Sequence, residues 1–567
     1  MTRSSAGTLI DALDNSAARY PQSKLCFSDL RAGCQEVSFA EIAAVSQRYA
    51  QGLQRLGLKQ GDLVGLHLST RPEFVFSLIG TIRAGGVPVP LPTYAGFQGL
   101  AGFVERLIHI VEHSGATYII TEQRLLDWVQ GHLGQHFRSR HWLTPEAIDA
   151  SEEYGPLPRL ESNDLCLVQY TSGSTAAPKG IALTHRNVLA GLKAIADQVQ
   201  LSSADVWCSW LPLYHDMGLI GMLCGLVQGV SQYLYKPRSF IGNPGTWLSE
   251  FSRCGGTLYA GPSFSFAHML NSVDDQQLAA LDLSRWRIAF NGSEFIDPLV
   301  VEQFIERFKP AGFQACAMFP VYGMAEATLA VSFPVLGSHP LTQWVDSERL
   351  AEAGQCVKVE RSHFLARGVL CVGKAVPGHT VRIVDAQGVV LPDNLVGEVQ
   401  LQGPAVMGGY YGNATATAAA LRNGWLCTGD LGYLSEGLLF ITGRAKEMIS
   451  VNGKKFYPQE VEQLVHTLAG VYKGHAVALG QLNRQGEQML IVLESDLRSS
   501  TGRSRLIHQL RSRLSQHLGL CAISIYLLRP GAMPRTSSGK YQRLLLREQL
   551  RQGHLHDKLW PERYPND

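Results

Sequence analysis

The alternation of strand-like and helix-like runs constrains the fold of this chain more than any other feature. Leu63-Val-Gly-Leu-His-Leu68 reads as a strand, Phe74 to Ala84 as a helix, and Val87-Pro-Val-Pro-Leu91 as a stiff extended piece. Phe103 to His113 then reads as a helix and Thr117-Tyr-Ile-Ile-Thr121 as a strand. Such alternation predicts parallel sheets with helices on their faces. From about Gly373 the texture changes to short strands and turns (VRIVD, GEVQLQG, GLLFITG), and beyond Arg444 a basic, helix-bearing part begins. The expected class is therefore α/β. Two parallel-sheet subdomains and a small β-rich subdomain (about 373–444) make up a large N-terminal domain, 1–444. A small, mobile α+β domain, 445–567, follows. A chain of 567 residues has room for three or four such units at about 150 residues each.

Composition excludes several function classes. At 45% hydrophobic and 17% charged, the chain is an ordinary globular protein and far from disorder. Its first residues, MTRSSAGTLIDALDNSAARYP, lack the apolar core of a secretory signal. The most apolar stretch, Gly218 to Val230, is too short to span a bilayer. Eleven dispersed cysteines, several inside apolar runs (Cys166, Cys224, Cys371), read as reduced core thiols and not as a metal site. A cytoplasmic protein with no membrane span and no nucleic-acid partner is expected.

The stretch Tyr170-Thr-Ser-Gly-Ser-Thr-Ala-Ala-Pro-Lys-Gly180 is almost a Walker loop. Pro178 stands where the second glycine belongs, Gly180 replaces the Mg²⁺-binding hydroxyl, and strand-like runs (Leu165–Tyr170, Ile181–Leu183) flank it. It is a strand–loop–strand. Thr171, Ser172, Gly173, Ser174, Thr175 and Lys179 offer hydroxyls, backbone amides and an ammonium that can wrap a polyphosphate. An ordinary polar hairpin loop is the other reading.

Three distant segments decide between them: Pro320-Val-Tyr-Gly-Met-Ala-Glu-Ala-Thr328, Trp425-Leu-Cys-Thr-Gly-Asp430 and Pro534-Arg-Thr-Ser-Ser-Gly-Lys540, with Gly397-Glu398 and Gly443-Arg444 between them. Together with the loop, they resemble the core motifs of the adenylate-forming superfamily, which includes acyl-CoA synthetases, peptide-synthetase adenylation domains and firefly-type luciferases. The resemblance runs from about Leu9 to Arg543. Within that superfamily, Trp210-Leu-Pro-Leu-Tyr-His-Asp-Met-Gly-Leu219 and the alanine at 325 are most similar to the fatty acyl-AMP ligases. Glu326 also lies 47 residues before Gly373, and the extra segment at about 338–368 looks like that group's insertion, thought to hinder the rotation that admits CoA.

The resemblance implies ATP and Mg²⁺ as cofactors, a fatty or similar carboxylic acid as substrate, and the phosphopantetheine arm of an acyl carrier protein as acceptor. The chain ends at Asp567, so a separate carrier is expected. It also implies roles for single residues. Lys540 bridges carboxylate and α-phosphate, Glu326 holds Mg²⁺ with Thr171, and Asp430 takes the ribose with Arg444 nearby. Tyr322 stacks on adenine, while Asn291, Gly292, Ser293, Glu294, Gly323 and Met324 line adenine and the acyl entrance. Gly292 leaves room for the chain, Trp210, His215 and Ser263 belong to the acyl pocket with His215 as its gate, and Lys446 is the hinge. Ala176 replaces a usual loop glycine. An acyl-CoA synthetase, an amino-acid adenylating enzyme and a non-catalytic acyl-adenylate binder are the alternatives.

Charge is unevenly placed. The net charge is +2, yet Arg498 to Arg551 holds eleven Lys or Arg against Glu548 alone, +10, leaving −8 elsewhere. Within it, Leu506, Ile507, Leu510, Leu514 and Leu518 repeat at helical spacing, with Arg503, Arg505, Arg511 and Arg513 mostly off that stripe. These arginines form either a solvated face or a docking face for an acidic partner.

Overall fold

The computed structural model describes residues 7–29, 33–94, 100–127, 140–149, 155–171, 178–451, 454–483, 486–518, 520, 523–536 and 540–560. Two sheets dominate the N-terminal part. The larger has seven strands, ordered by chain segment as 318–320, 288–292, 258–262, 206–209, 231–235, 24–29 and 33–38. All neighbours are parallel except the last pair, a hairpin. The smaller sheet is wholly parallel, in the order 87–90, 63–67, 118–121, 141–143. Its edge strand shows why Pro88 and Pro90 are tolerated. The amides of Val87 and Leu91 donate inward to the carbonyls of Asp62 and Leu66 (2.8 and 2.9 Å), so the prolines fall on the edge where no ladder donor is needed. The observed helices Pro72–Arg83 and Leu100–Ser114 bear out the alternation.

Three neighbouring parallel strands of the large sheet finish nearly level, Pro262 opposite Gly292 and Asn291 opposite Pro320, and the adjoining strand Val206–Ser209 stops slightly short of them. The segments that leave those ends begin with Trp210, Ser263, Ser293 and Val321. Ligands of open α/β sheets bind outside the carboxyl ends of the strands, so this edge is where chemistry is expected. Beneath it lies an aromatic core, in which Trp210 stacks on Phe240 with centroids 4.4 Å apart and Trp247, Tyr259, Phe266, Trp286 and Phe304 pack behind.

The β-rich part is an antiparallel sheet of strands 380–384, 397–402, 425–435, 421–422 and 438–444. The segment 338–368 forms the strand Thr342–Asp346, the helix Ser347–Glu352 and most of a return strand, Ala366–Leu370. Val345 and Leu350 from it, and Val369 just past it on the return strand, are buried with Tyr433, Phe440 and Tyr457. Beyond Ile449 the chain builds its own core on the sheet Ala476–Asn483, Gly486–Glu494 and Ile523–Leu528, covered by the helices Pro458–His466 and Ser500–Leu518.

The basic helix departs from its sequence reading. Leu506, Leu510 and Leu514 are buried as the stripe predicts, but so is Arg503, which donates to the carbonyls of Leu497 and Arg498 (3.0 and 2.8 Å) and lies over the Trp560 ring. Arg513 donates to the Leu464 carbonyl at 3.1 Å, satisfying an end of the helix Pro458–His466. Arg503 therefore belongs to neither a solvated nor a docking face, while the half-exposed Arg513 is tied to the neighbouring helix end. Their charges are used inside the fold.

Candidate active site

The phosphate-type loop springs from a true antiparallel pair, Leu165–Tyr170 with Gly180–Thr184, and Tyr170 stands opposite Gly180. At its mouth the Thr171 amide donates to the Lys179 carbonyl (3.1 Å). Ser172, Gly173, Ser174, Thr175 and Ala176 lie outside the described residues. The second strand also pairs with Gly409–Tyr410, and this delivers Tyr410 to the site. Lys179 Nζ sits over the Tyr410 ring, 4.8 Å from its centroid, and the Tyr410 hydroxyl donates to Glu326 Oε1 at 2.9 Å. Tyr410 was not legible as a site residue, because its role depends on that distant strand pairing.

Glu326 lies in a stapled hairpin. Tyr322–Gly323 pairs with Ala330–Phe333, and a Cβ at Gly323 would meet the Leu329 carbonyl oxygen at 2.0 Å, so only glycine fits. Thr328 takes φ 63°, a strained region for a β-branched residue, and is held there by its hydroxyl, which donates to Ala405 O at 2.9 Å. Burial pushes the Glu326 carboxyl up, with nearby Asp216 adding to the rise. A carboxylate with one oxygen engaged by Tyr410 and a second acid at hand fits Mg²⁺, which takes one or two carboxylates alongside substrate phosphates.

Asp430 receives two donors. The Tyr322 hydroxyl donates to Oδ2 (2.7 Å) and Arg444 Nε, cross-strand from it, approaches Oδ1 at 2.8 Å. Each oxygen keeps a second lone-pair direction, which a ribose diol can use. Asn291 is fully buried, and its Oδ1 has no partner among the described residues. Such an orphan beside a strand end suits an amine-bearing ring. Ser293 follows at φ 73°, and the Glu294 carboxylate accepts from the Phe264 amide at 2.6 Å. Gly292 has a different reason from the one expected of it. A Cβ there would meet Val321 at 2.8 Å, so glycine is set by packing with the neighbouring strand end and not by an open space for a chain.

Lys540 reaches this cluster from the C-terminal part. It stands among the carboxylates of Asp216, Glu294 and Asp430, with Arg444 nearby, and burial holds its ammonium below the ordinary lysine range against the pull of those acids. Thr536 N donates to Lys540 O (2.7 Å) and Lys540 N to Thr536 Oγ1 (3.0 Å), which fixes the lysine's backbone. Arg543, just beyond, donates to both Glu462 oxygens at 2.7 Å and lies 3.7 Å from Glu447, next to Lys446. Lys446 itself is exposed in the short turn Ala445–Glu447. Asp216, which follows His215 in the Trp210–Leu219 segment, joins the cluster. Burial alone would raise it, but His215, whose Nδ1 is 2.6 Å away, and Lys540 hold it down at about 2. Trp210 and Ser263 stand behind this cluster, and the Trp210 ring N–H is tied to the Tyr259 hydroxyl at 2.9 Å.

A family model for AMP-binding enzymes matches residues 13–411, well over half of the chain. The chain belongs to the AMP-binding enzyme family. It is 32% identical to a Caulobacter vibrioides protein that bears an acyl-CoA synthetase name, over 94% of each chain. It is also 32% identical to a medium-chain-fatty-acid–[acyl-carrier-protein] ligase of Moorena producens, over 98% of this chain and 97% of that one. Among solved structures, a chain from a study of fatty acyl-adenylate ligases of E. coli and L. pneumophila superposes with TM-score 0.89 at 33% identity, covering 97% of this chain and 98% of its own. This AMP-binding enzyme thus carries its charged cluster at the strand ends of a fold shared with fatty acyl-adenylate ligases. Among the described residues, no helix is long and apolar enough to cross a membrane.

Proposed function

We propose that this enzyme joins a fatty or fatty-like carboxylate to AMP, releasing pyrophosphate, and passes the acyl group to the phosphopantetheine thiol of a separate acyl carrier protein. The observation that carries the reading is Lys540, brought from the C-terminal part into a cluster that also holds Asp430, Glu294 and Arg444. The acid is already ionised at neutral pH, so the reaction needs charge compensation and not a base. An anion must attack a polyanion, and aimed cations lower that barrier. In this reading Lys540 and Arg444 supply positive charge, Asp430 orients the ribose, and Tyr322, Asn291 and Gly323 bound the adenine. Glu326, with Thr171, would hold Mg²⁺, which when bound would offset phosphate charge. The loop 171–179 cradles the polyphosphate, His215 gates the acyl pocket, and the C-terminal domain turns at Lys446 between the two half-reactions.

ATP–pyrophosphate exchange across a panel of carboxylic acids tests the first half-reaction. Exchange with medium or long fatty acids is expected, and none with any acid would overturn the reading. The Caulobacter relative's name favours a second reading, an acyl-CoA synthetase. Supplying CoA and a phosphopantetheinylated carrier side by side separates the two, and faster thioester formation on CoA would favour the second.

A further inference from the structure

The helix Leu100–Ser114 touches the two flanks of the phosphate-type loop, Tyr170 and Pro178, and carries Arg106, His109 and His113 at positions three and seven residues apart, one face of a helix. His109 Nε2 donates to the Pro178 carbonyl at 3.2 Å, at the closing end of the loop, and His113 Nδ1 meets the Tyr170 hydroxyl at 2.7 Å at its opening. Arg106, one turn before His109, points to the catalytic lysine's segment instead. With the Gln542 amide oriented to satisfy both sides, its oxygen accepts from Arg106 Nη2 at 2.8 Å and its nitrogen donates to the Arg535 carbonyl at 3.1 Å. Gln542 lies two residues past Lys540 and opens the helix Arg543–Arg551. Burial pushes this guanidinium down, and among the described residues the Tyr214 phenol is the titratable group that acts on it. No carboxylate among the described residues offsets its charge. A half-buried cation held by neutral groups is costly unless an anion joins it.

We propose that Arg106 binds the pyrophosphate end of the nucleotide, pinning it between the loop ending at Lys179 and the segment that carries Lys540. Its planar fork suits phosphate oxygens, and its helix already touches both ends of the loop in which that polyphosphate would lie. When pyrophosphate leaves, Arg106 loses its anion and keeps only the neutral bridge to Gln542. The inference rests on the acyl-AMP ligase reading above.

Exchange kinetics on the full-length enzyme test it, with inorganic pyrophosphate and ATP as the varied ligands. Arg106→Gln should raise the KM for both by about ten-fold or more, the scale of a lost charge-assisted contact, with Arg106→Lys intermediate. Transfer from supplied acyl-adenylate to the carrier, which uses no pyrophosphate, should change less than exchange does. Gln542→Ala, which removes the bridge but leaves the guanidinium, should raise the pyrophosphate KM less than Arg106→Gln. An unchanged pyrophosphate KM in Arg106→Gln, an equal loss in both half-reactions, or an equal effect of Gln542→Ala overturns the assignment. If the wild-type chain exchanges with no carboxylic acid at all, it is the functional reading that falls.

Discussion

Lys540 feels the pull of three carboxylates, Asp216, Glu294 and Asp430, and the opposition of Arg444. Lys540→Ala should therefore reduce exchange by about a hundred-fold or more, the usual worth of a charge aimed at a transition state, while ATP binding by equilibrium titration persists. Residual exchange near wild type would remove the lysine from the mechanism. Its amine is pushed down by burial, and only the protonated form carries the charge. Exchange should thus fall on the alkaline side, with a limb below the ordinary lysine value of about 10.4, and Lys540→Arg should move that limb upward. A limb at the same pH in both proteins would assign it to another group. Lys540, Asp430 and Glu326 were legible because motif and chemistry agree at each. Tyr410 and Arg106 were not, since one depends on Gly409 pairing with Ala182 and the other on a loop from the far end of the chain.

Elements explain why the inserted segment does more than lengthen a gap. Its helix and return strand reach the C-terminal part through two kinds of contact. Lys454 pairs with Glu348 (3.3 Å) and Glu352 (4.0 Å) on the surface, and such exposed pairs are worth about 0–1 kcal/mol. Arg367 is buried. Within its own domain it donates to the Thr442 carbonyl at 2.7 Å, and across to the C-terminal part it lies 4.2 Å from the Tyr457 ring centroid and faces the buried acid Glu460. Arg367 would therefore resist a rotation of the C-terminal part more than the surface pairs do. Deleting 338–368 would be a poor test, because stripping Val345 and Leu350 from Tyr433 and Phe440 costs about 2–5 kcal/mol for each large apolar side chain lost. Arg367→Met keeps the stem's packing and removes the restraint. It should retain exchange and raise acyl-CoA formation from near background. A folded variant that exchanges normally and still ignores CoA would show that the restraint lies elsewhere. Strand and helix identity was readable here from period and turns. The clamp was not, because Arg367 and Tyr457 lie far apart in sequence and meet only in the core that the inserted segment shares with the chain beyond Arg444.

On the scale of the whole molecule, the +10 tract is smaller than it looks. Arg503 and Arg513 are spent on backbone carbonyls, Arg543 on Glu462, Arg551 on Glu548, and Lys540 lies in the site. Helical spacing placed the leucines correctly but could not reveal that Leu497 just upstream, with Leu464 and Trp560 from remote segments, would claim two of the arginines. Reversing Arg513 would therefore uncap a helix and destabilise the fold by about 1–3 kcal/mol, without testing docking. Arg505 is exposed and Arg511 half-exposed, so these two can still steer an acidic carrier toward the C-terminal part. Arg505→Glu with Arg511→Glu should slow acyl transfer through association rate, leave carrier-free exchange unchanged, and preserve the melting temperature within a few degrees. Exposed charges are screened over about 8–10 Å at physiological ionic strength, so the defect should shrink as salt rises. Equal transfer by both proteins at low salt would reduce these arginines to a solvated face.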